Sequence, residues 1–368
     1  MRFRWHDISD LTNDFTASWR DLSLAASTPN IYLMPEFVLP AIRHLDLPRD
    51  PKFAVVWNTN ETKMLALCFV GAPSPNLRFP YSHLRAVKTK HSYQTGILVR
   101  NGSEREALDN LLYNLLRKPW QALAFAELRE DSLLHQQLQD AALRRGLKWY
   151  VEHRYLRASV EIGEGVHWTK YVSRSRLASL RKARARLEKL GCVQSRILFD
   201  NEVTDSTLKS FLRVESLGWK ANSSLRATGE EHAFFIELIE ACRSSGTLFF
   251  CELLLDGKVI ASTSNFHVNG LGFAFKVGMD PKYAKYSPGY LVEIGFLEAI
   301  DSGAVPFREI ESGAQPGSYI EKLWPGRAIM VSGYFVSGGL PSAYSALPRV
   351  YSMLKRWAKR FRAYWMRG

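Results

Sequence analysis

LGFAFKVGMD (271–280), PKYAKYSPG (281–289), YLVEIGFLEAIDSG (290–303) and FREIESG (307–313) lie close together along the chain. The first stretch is an apolar run with strand character, and the second is a basic turn holding Pro and Gly. The third repeats apolar residues at helical spacing, and the fourth reads as a second strand. A strand, a tight turn, a helix and a return strand form a crossover. The start of its helix carries N–H groups without intrahelical partners and the positive end of the helix dipole. Lys282 and Lys285 precede that start, Ser287, Pro288 and Gly289 make the turn, and Tyr290 opens the helix. Gly289 lets a phosphate approach the backbone closely, so the turn reads as a cradle for the pyrophosphate of an acyl-CoA or as an ordinary solvent-facing turn. Backbone N–H groups at Val277 and Gly278 would then hold the thioester oxygen where neighbouring strands diverge, or serve as ordinary ladder donors.

Outward from this stretch, the first half of the chain alternates elements. A helical start is expected around 8–24 and a second helix from Pro35 to about His44. KFAVVWN (52–58) and KMLALCFVG (63–71) read as strands, followed by a Pro-rich turn at 73–80 and a strand around 94–99. Ser103 with Glu106 predicts a capping box for a helix ending near Pro119. ALAFAELRE (122–130), a helix over 131–145 closed by Gly146, and KWYVEHRYLRASVEI (148–162) complete the half. From 173 to 190 a helix places Leu177, Leu180, Ala183 and Leu187 on one side and Lys182, Arg186 and Lys189 on the other. Helices over 206–217 and 230–244 follow, then strands LFFCELLLD (248–256) and KVIASTSNFHV (258–268) joined at Asp256–Gly257. YFVSGGLPSAYSALP (334–348) breaks the periodicity, and Val350, Leu354, Trp357, Phe361 and Tyr364 behind it form one amphipathic helical stripe.

A chain of 368 residues that is 46% hydrophobic can bury two cores. The net charge of +13 concentrates in two places. Eight basic residues from Lys170 to Lys189 oppose only Glu188, and seven from Arg349 to Arg367 oppose no acid. Basicity is therefore local rather than a whole-surface nucleic-acid footprint. Cys68, Cys192, Cys242 and Cys251 are far apart with no ligand spacing, so neither a disulfide framework nor a metal is expected. His267 reads as a structural histidine. The absence of GxSxG, a Walker loop and HExxH argues against serine hydrolase, P-loop NTPase and zincin chemistry. No signal h-region and no apolar run of about 18 residues occur, which makes a cytoplasmic location the expectation.

VESLGWKANSSL (214–225), GMDPKYAKYSPGYLVE (278–293) and ESGAQPGSYIEKLWPGR (311–327) together resemble the cellulose-biosynthesis-associated acetyltransferases of the GNAT superfamily. The resemblance implies an α/β chain of two tandem GNAT-like domains, each a mixed central sheet flanked by helices. A degenerate domain would span 1–165 and the acyltransferase domain 166–335, with a linker over 336–348 and the basic amphipathic helix over 349–368. It implies an N-acyltransferase that moves an acyl group, most simply acetyl, from acyl-CoA to an amine on a small molecule or sugar, in an exopolysaccharide or cell-envelope context. It also implies Glu311 as general base and Tyr319 as acid, although a carboxylate capping a turn and a tyrosine packed on Trp324 would explain the same residues. Glu215, Trp219, Lys220, Lys322 and Trp324 would shape the acceptor side, with Trp219 equally explained as a core anchor.

Two other readings compete. Fem-type peptidoglycan aminoacyltransferases share tandem GNAT folds and use aminoacyl-tRNA, which the basic helix at 174–189 would meet. A non-catalytic scaffold at a membrane surface would retain the fold without the reaction. The terminal helix would bind an anionic membrane at its cytoplasmic face, or pack on the domain as a cap.

Overall fold

The structure, a computed structural model, describes residues 1–74, 82–161, 167–170, 172–217, 225, 229–336, 353 and 357. In chain order come β1 (Arg2–Asp7), α1 (Asn13–Leu24), α2 (Pro35–His44), β2 (Lys52–Trp57), β3 (Met64–Gly71), β4 (His83–Ala86), β5 (Leu98–Val99), α3 (Glu104–Leu115), β6 (Ala122–Arg129), α4 (Leu133–Arg144) and β7 (Lys148–Glu161). After them come α5 (Arg174–Glu188), β8 (Val193–Phe199), α6 (Asp205–Leu217), α7 (Glu230–Ser245), β9 (Leu248–Leu255), β10 (Lys258–Val268), β11 (Leu271–Met279), α8 (Pro288–Asp301), β12 (Glu309–Glu311) and β13 (Gly326–Val336). The linker and terminal helix expected over 336–368 lie outside the described residues, apart from Val336, Met353 and Trp357.

The chain divides into two compact units. One holds Met1–Leu33, Leu47–Tyr155 and the chain from Ile329; the other holds Met34–Asp46 and Leu156–Ala328. Strand order in the first is β1-β2-β3-β4-β6-β13, antiparallel throughout except for the β4–β6 step. In the second it is β8-β9-β10-β11-β12-β7, antiparallel except for β11–β12. Both sheets therefore repeat one pattern, in which the fourth step alone is parallel. A parallel step needs a crossover, and a helix supplies it each time: α3 between β4 and β6, α8 between β11 and β12.

The sixth strand of each sheet comes from an unexpected place in the sequence. β7 follows the first unit's elements, yet its end pairs with β12 through Val160↔Ile310. β13 ends the second unit's elements, yet Met330–Val336 pairs with Arg129–Ala122 of β6. The sequence boundary at 165 therefore falls after β7, whereas the units exchange within that strand at Tyr155–Leu156. α2 also belongs to the second unit, because Phe37 packs edge-on against Phe234 at 5.5 Å and His44 meets Glu237 at 2.7 Å. The helical start expected at 8–24 divides into a 3-10 turn over Ile8–Asp10 and α1 from Asn13, after the edge strand β1.

In the second unit both faces of the sheet are covered, so β9 is buried along its whole length. Phe249, Cys251 and Leu253 join α5 and α8 in one core, while Phe250 and Leu254 turn the other way, towards Phe211 and Val214 of α6. α6 lies so close to β11 that a Cβ on Gly278 would come within 2.6 Å of the backbone N and Cα of Glu215. Between β7 and β11, the three-residue β12 ends at Glu311, whose carboxylate oxygens accept from Arg157 Nη1 at 3.2 and 3.0 Å. Arg157 and Glu311 are 0% and 2% exposed, so each charge depends on the other for solvation.

Replacing Arg157 with Met should cost about 3–5 kcal/mol in denaturant unfolding, and adding Glu311→Met should recover most of it, because removing the pair together leaves no buried lone charge. Gly278→Ala should cost about 1–3 kcal/mol in the same measurement, since the α6 backbone must move to admit a methyl group.

Candidate active site

β12 accompanies β11 only from Leu271↔Glu309 to Phe273↔Glu311. β11 then continues to Met279, paired on its other side with β10 as far as Met279↔Ala261. The sheet therefore opens beside 274–279. The register on the β10 side slips at the same level: Ala274 faces Asn265 and Lys276 faces Ser264, leaving Phe275 as the extra residue of a bulge. Ala274 and Met279 pack into the core under α8, whereas Phe275 stacks on Phe235 and Gly278 lies under α6.

The chain leaves β11 through Asp280, whose side chain accepts from the Lys282 N–H at 3.0 Å, and makes a 3-10 turn over Pro281–Tyr286. Ser287 has φ +55°, a left-handed conformation that costs a non-glycine residue about 1–2 kcal/mol. It ends the turn and caps α8, with Pro288 in the first helical position, where the missing N–H is harmless. The Tyr290 and Leu291 N–H groups bond back to the Ser287 carbonyl at 3.0 and 3.1 Å. At Gly289 the space is open: a Cβ there would touch only Met279 Sδ, at 3.8 Å. Lys282 and Lys285 are exposed beside this helix start. α5 adds two more cations, with Arg186 donating to the Lys285 carbonyl at 3.5 Å and the Arg176 guanidinium lying 5.5 Å from the Tyr290 ring. The basic face of α5 and the basic turn are thus brought together around one helix terminus.

Behind that terminus, Glu293 is buried on the inner side of α8 and accepts from the Tyr319 hydroxyl at 3.4 Å. Burial pushes the Glu293 carboxyl up to about 7, with Trp324 and Tyr319 pulling the other way. Burial and the Glu293 charge together hold the Tyr319 hydroxyl well above its ordinary range. The Tyr319 ring meets Tyr290 edge-on at 5.2 Å, so a line of contacts runs from Arg176 through two tyrosines to the buried carboxyl. Sequence reasoning missed Glu293. The available signal was its place among Tyr290, Leu297 and Ile300, where an acid falls on an otherwise apolar helix side.

On the opposite face of β11, Glu215 of α6 is buried and Lys276 lies beside it. Burial pushes the Lys276 ammonium down to about 8, opposed by the Glu215 charge. Among the other expected acceptor residues, Lys322 is exposed and Trp324 is packed in the core, 6.1 Å from the Phe296 ring. Trp219 and Lys220 lie outside the described residues. His267 sits between the Phe199 and Phe249 rings with its Nε2 3.5 Å from Asp200. Among the described residues, no group of three or more His, Cys, Asp or Glu side chains could hold a metal, and no helix is long and apolar enough to cross a membrane.

Residues 174–306 match the family described as acetyltransferase (GNAT) domain. No curated protein matches the chain. Among solved structures the chain is similar to FemX, at 8% identity and TM-score 0.57, covering 92% of this chain and 98% of that one. It is also similar to the C-terminal domain of a candidate lysylphosphatidylglycerol synthetase from Agrobacterium fabrum, at 12% identity and TM-score 0.53, covering 92% and 95%. A third likeness is to a conserved protein of unknown function from Bacteroides thetaiotaomicron, at 13% identity and TM-score 0.55, covering 91% and 100%. At such identities these likenesses speak for the fold alone. The sheet opening at β11 and the helix start behind it fall inside the span, 174–306, that matches the acetyltransferase (GNAT) domain family.

Proposed function

We propose that the protein is an N-acyltransferase that moves an acyl group, most simply acetyl, from CoA to an amine. The observation that carries this reading is the sheet opening at 274–279, followed immediately by a helix start ringed with cations. In this reading the pyrophosphate rests on the first turn of α8 at Ser287, Gly289 and Tyr290, with Lys282 and Lys285 beside it and Arg176 and Arg186 closing the rim. The pantetheine arm lies along the open edge of β11, and its thioester comes level with Val277 and Gly278.

Tyr319 then turns its single O–H from Glu293 to the departing sulfur and acts there as a hydrogen-bond donor. Above pH 7 the charged Glu293 opposes loss of its proton, so the hydroxyl polarises rather than ionises. Glu311 is held by Arg157 and fixes the point where the sheet opens, instead of taking a proton from the acceptor. Glu215 and Lys322 border the acceptor side, and Trp324 supports the Glu293 pocket. The exopolysaccharide or cell-envelope setting and an inner-membrane location rest on the sequence resemblance. A second reading, with aminoacyl-tRNA as donor, draws support from the exposed cations of α5 and the FemX-like fold.

Gly289→Asp should weaken CoA at least about tenfold by calorimetry while leaving the melting temperature in place, because the site has room for a side chain but not for a second negative charge beside pyrophosphate. Glu293 makes a separate, pH-dependent prediction. Its folded pKa of about 7 exceeds the usual 4.5, so the folded state holds the extra proton between those values and loses stability as pH rises through them. The loss should amount to roughly 3 kcal/mol by pH 8 in urea titrations, and Glu293→Gln should flatten that slope.

A further inference from the structure

Three features of β11 coincide at one level. Its parallel partner β12 stops at Phe273↔Glu311, its register to β10 slips at Phe275, and the next residue is Lys276. Strict alternation would send Phe275 and Lys276 to opposite faces of the sheet. The bulge instead keeps both on the α6 side, where the Lys276 Nζ lies 4.9 Å from the Phe275 ring and Gly278 meets Glu215. Bulges next to active sites commonly re-aim a side chain in this way.

The surroundings are those of a polar pocket rather than a simple core. Ser264 lies opposite Lys276 and Ser262 opposite Gly278, so both hydroxyls share the α6 face. Both serines are 0% exposed, and their hydroxyls have no protein partner among the described residues. Among the described residues, β9 adds Glu252 to this face, held by Arg196 at 2.7 Å. α6 contributes Glu215, and its Arg213 is directed to Asp280 at the end of β11. β12 contributes Glu311, which is engaged by Arg157, and Glu293 of α8 belongs to the opposite face.

We propose that Lys276 is the group that takes the proton from the acceptor amine, at the reacting end of the opening in the sheet. The assignment rests on the acyl-CoA reading above. The incoming ammonium gives one proton to the neutral Lys276 Nζ, and the freed lone pair attacks the thioester carbonyl carbon. The C–N bond forms, the C–S bond breaks, and the second nitrogen proton goes to the thiolate. The products are the amide, the CoA thiol and a Lys276 ammonium that returns its proton to water. Burial keeps a useful fraction of Lys276 neutral near physiological pH, which is the condition for an efficient base, while Glu215 keeps the ammonium form stable enough to accept the proton.

The test needs no identified acceptor. The full chain is labelled with acetic anhydride from about pH 6 to 10, with and without CoA, and Lys276 is followed by mass spectrometry against the surface lysines. Calorimetry on the same protein measures CoA binding. Lys276 should label with a midpoint near 8, against about 10.4 for the surface lysines, and CoA should slow its labelling at least about fivefold. An ordinary midpoint overturns the assignment. So does labelling that CoA does not slow while calorimetry shows CoA bound. Absence of CoA binding in the calorimeter removes the donor reading itself, and the assignment with it.

Discussion

The ion pair between Arg157 and Glu311 sets where the second sheet opens. β12 is three residues long and has β11 on one side and β7 on the other, so its last carboxylate would be a lone charge in the interior without Arg157. A buried pair of this kind adds little net stability over an apolar substitute, but its partners cannot be separated cheaply. It therefore ties the end of β12 to β7 at a fixed level. Beyond that level β11 runs on without β12, and the turn after β11 delivers the α8 terminus.

Two ionisable groups flank β11 on opposite faces, each driven towards neutrality by the same cause. Burial raises the Glu293 carboxyl to about 7 on the α8 face and lowers the Lys276 ammonium to about 8 on the α6 face. Desolvation disfavours whichever form is charged, so an acid and a base converge on physiological pH from opposite directions. Groups held in this condition are the ones able to exchange protons during a reaction.

The repeat of strand orientations in the two units puts a parallel step and a crossover helix in each. In the second unit the start of the crossover helix meets cations from a neighbouring helix, through Arg176 and Arg186 of α5. α5 has few apolar residues, and Leu180, Ala183 and Leu187 suffice to seat it on the core while Arg176 and Arg184 reach α8.

Much of this was legible in the residues themselves. The apolar runs at 248–255 and 258–268, the Asp256–Gly257 turn with both residues at positive φ, and the basic turn before α8 depend on local propensity and spacing. The same holds for the apolar stripe of α5, since a period of 3.6 can be read without knowing the partner. What depends on residues far apart in sequence could not be read. The exchange of β7 and β13 carries no local mark, because a strand looks the same whichever sheet receives it. Glu311 lies 154 positions from Arg157, so only the folded chain shows that its carboxylate is paired. The bulge that turns Lys276 towards Glu215, and the burial that brings Glu293 and Tyr319 together, likewise arise from register and packing. Proton affinity follows from surroundings, and those are assembled only in the tertiary structure.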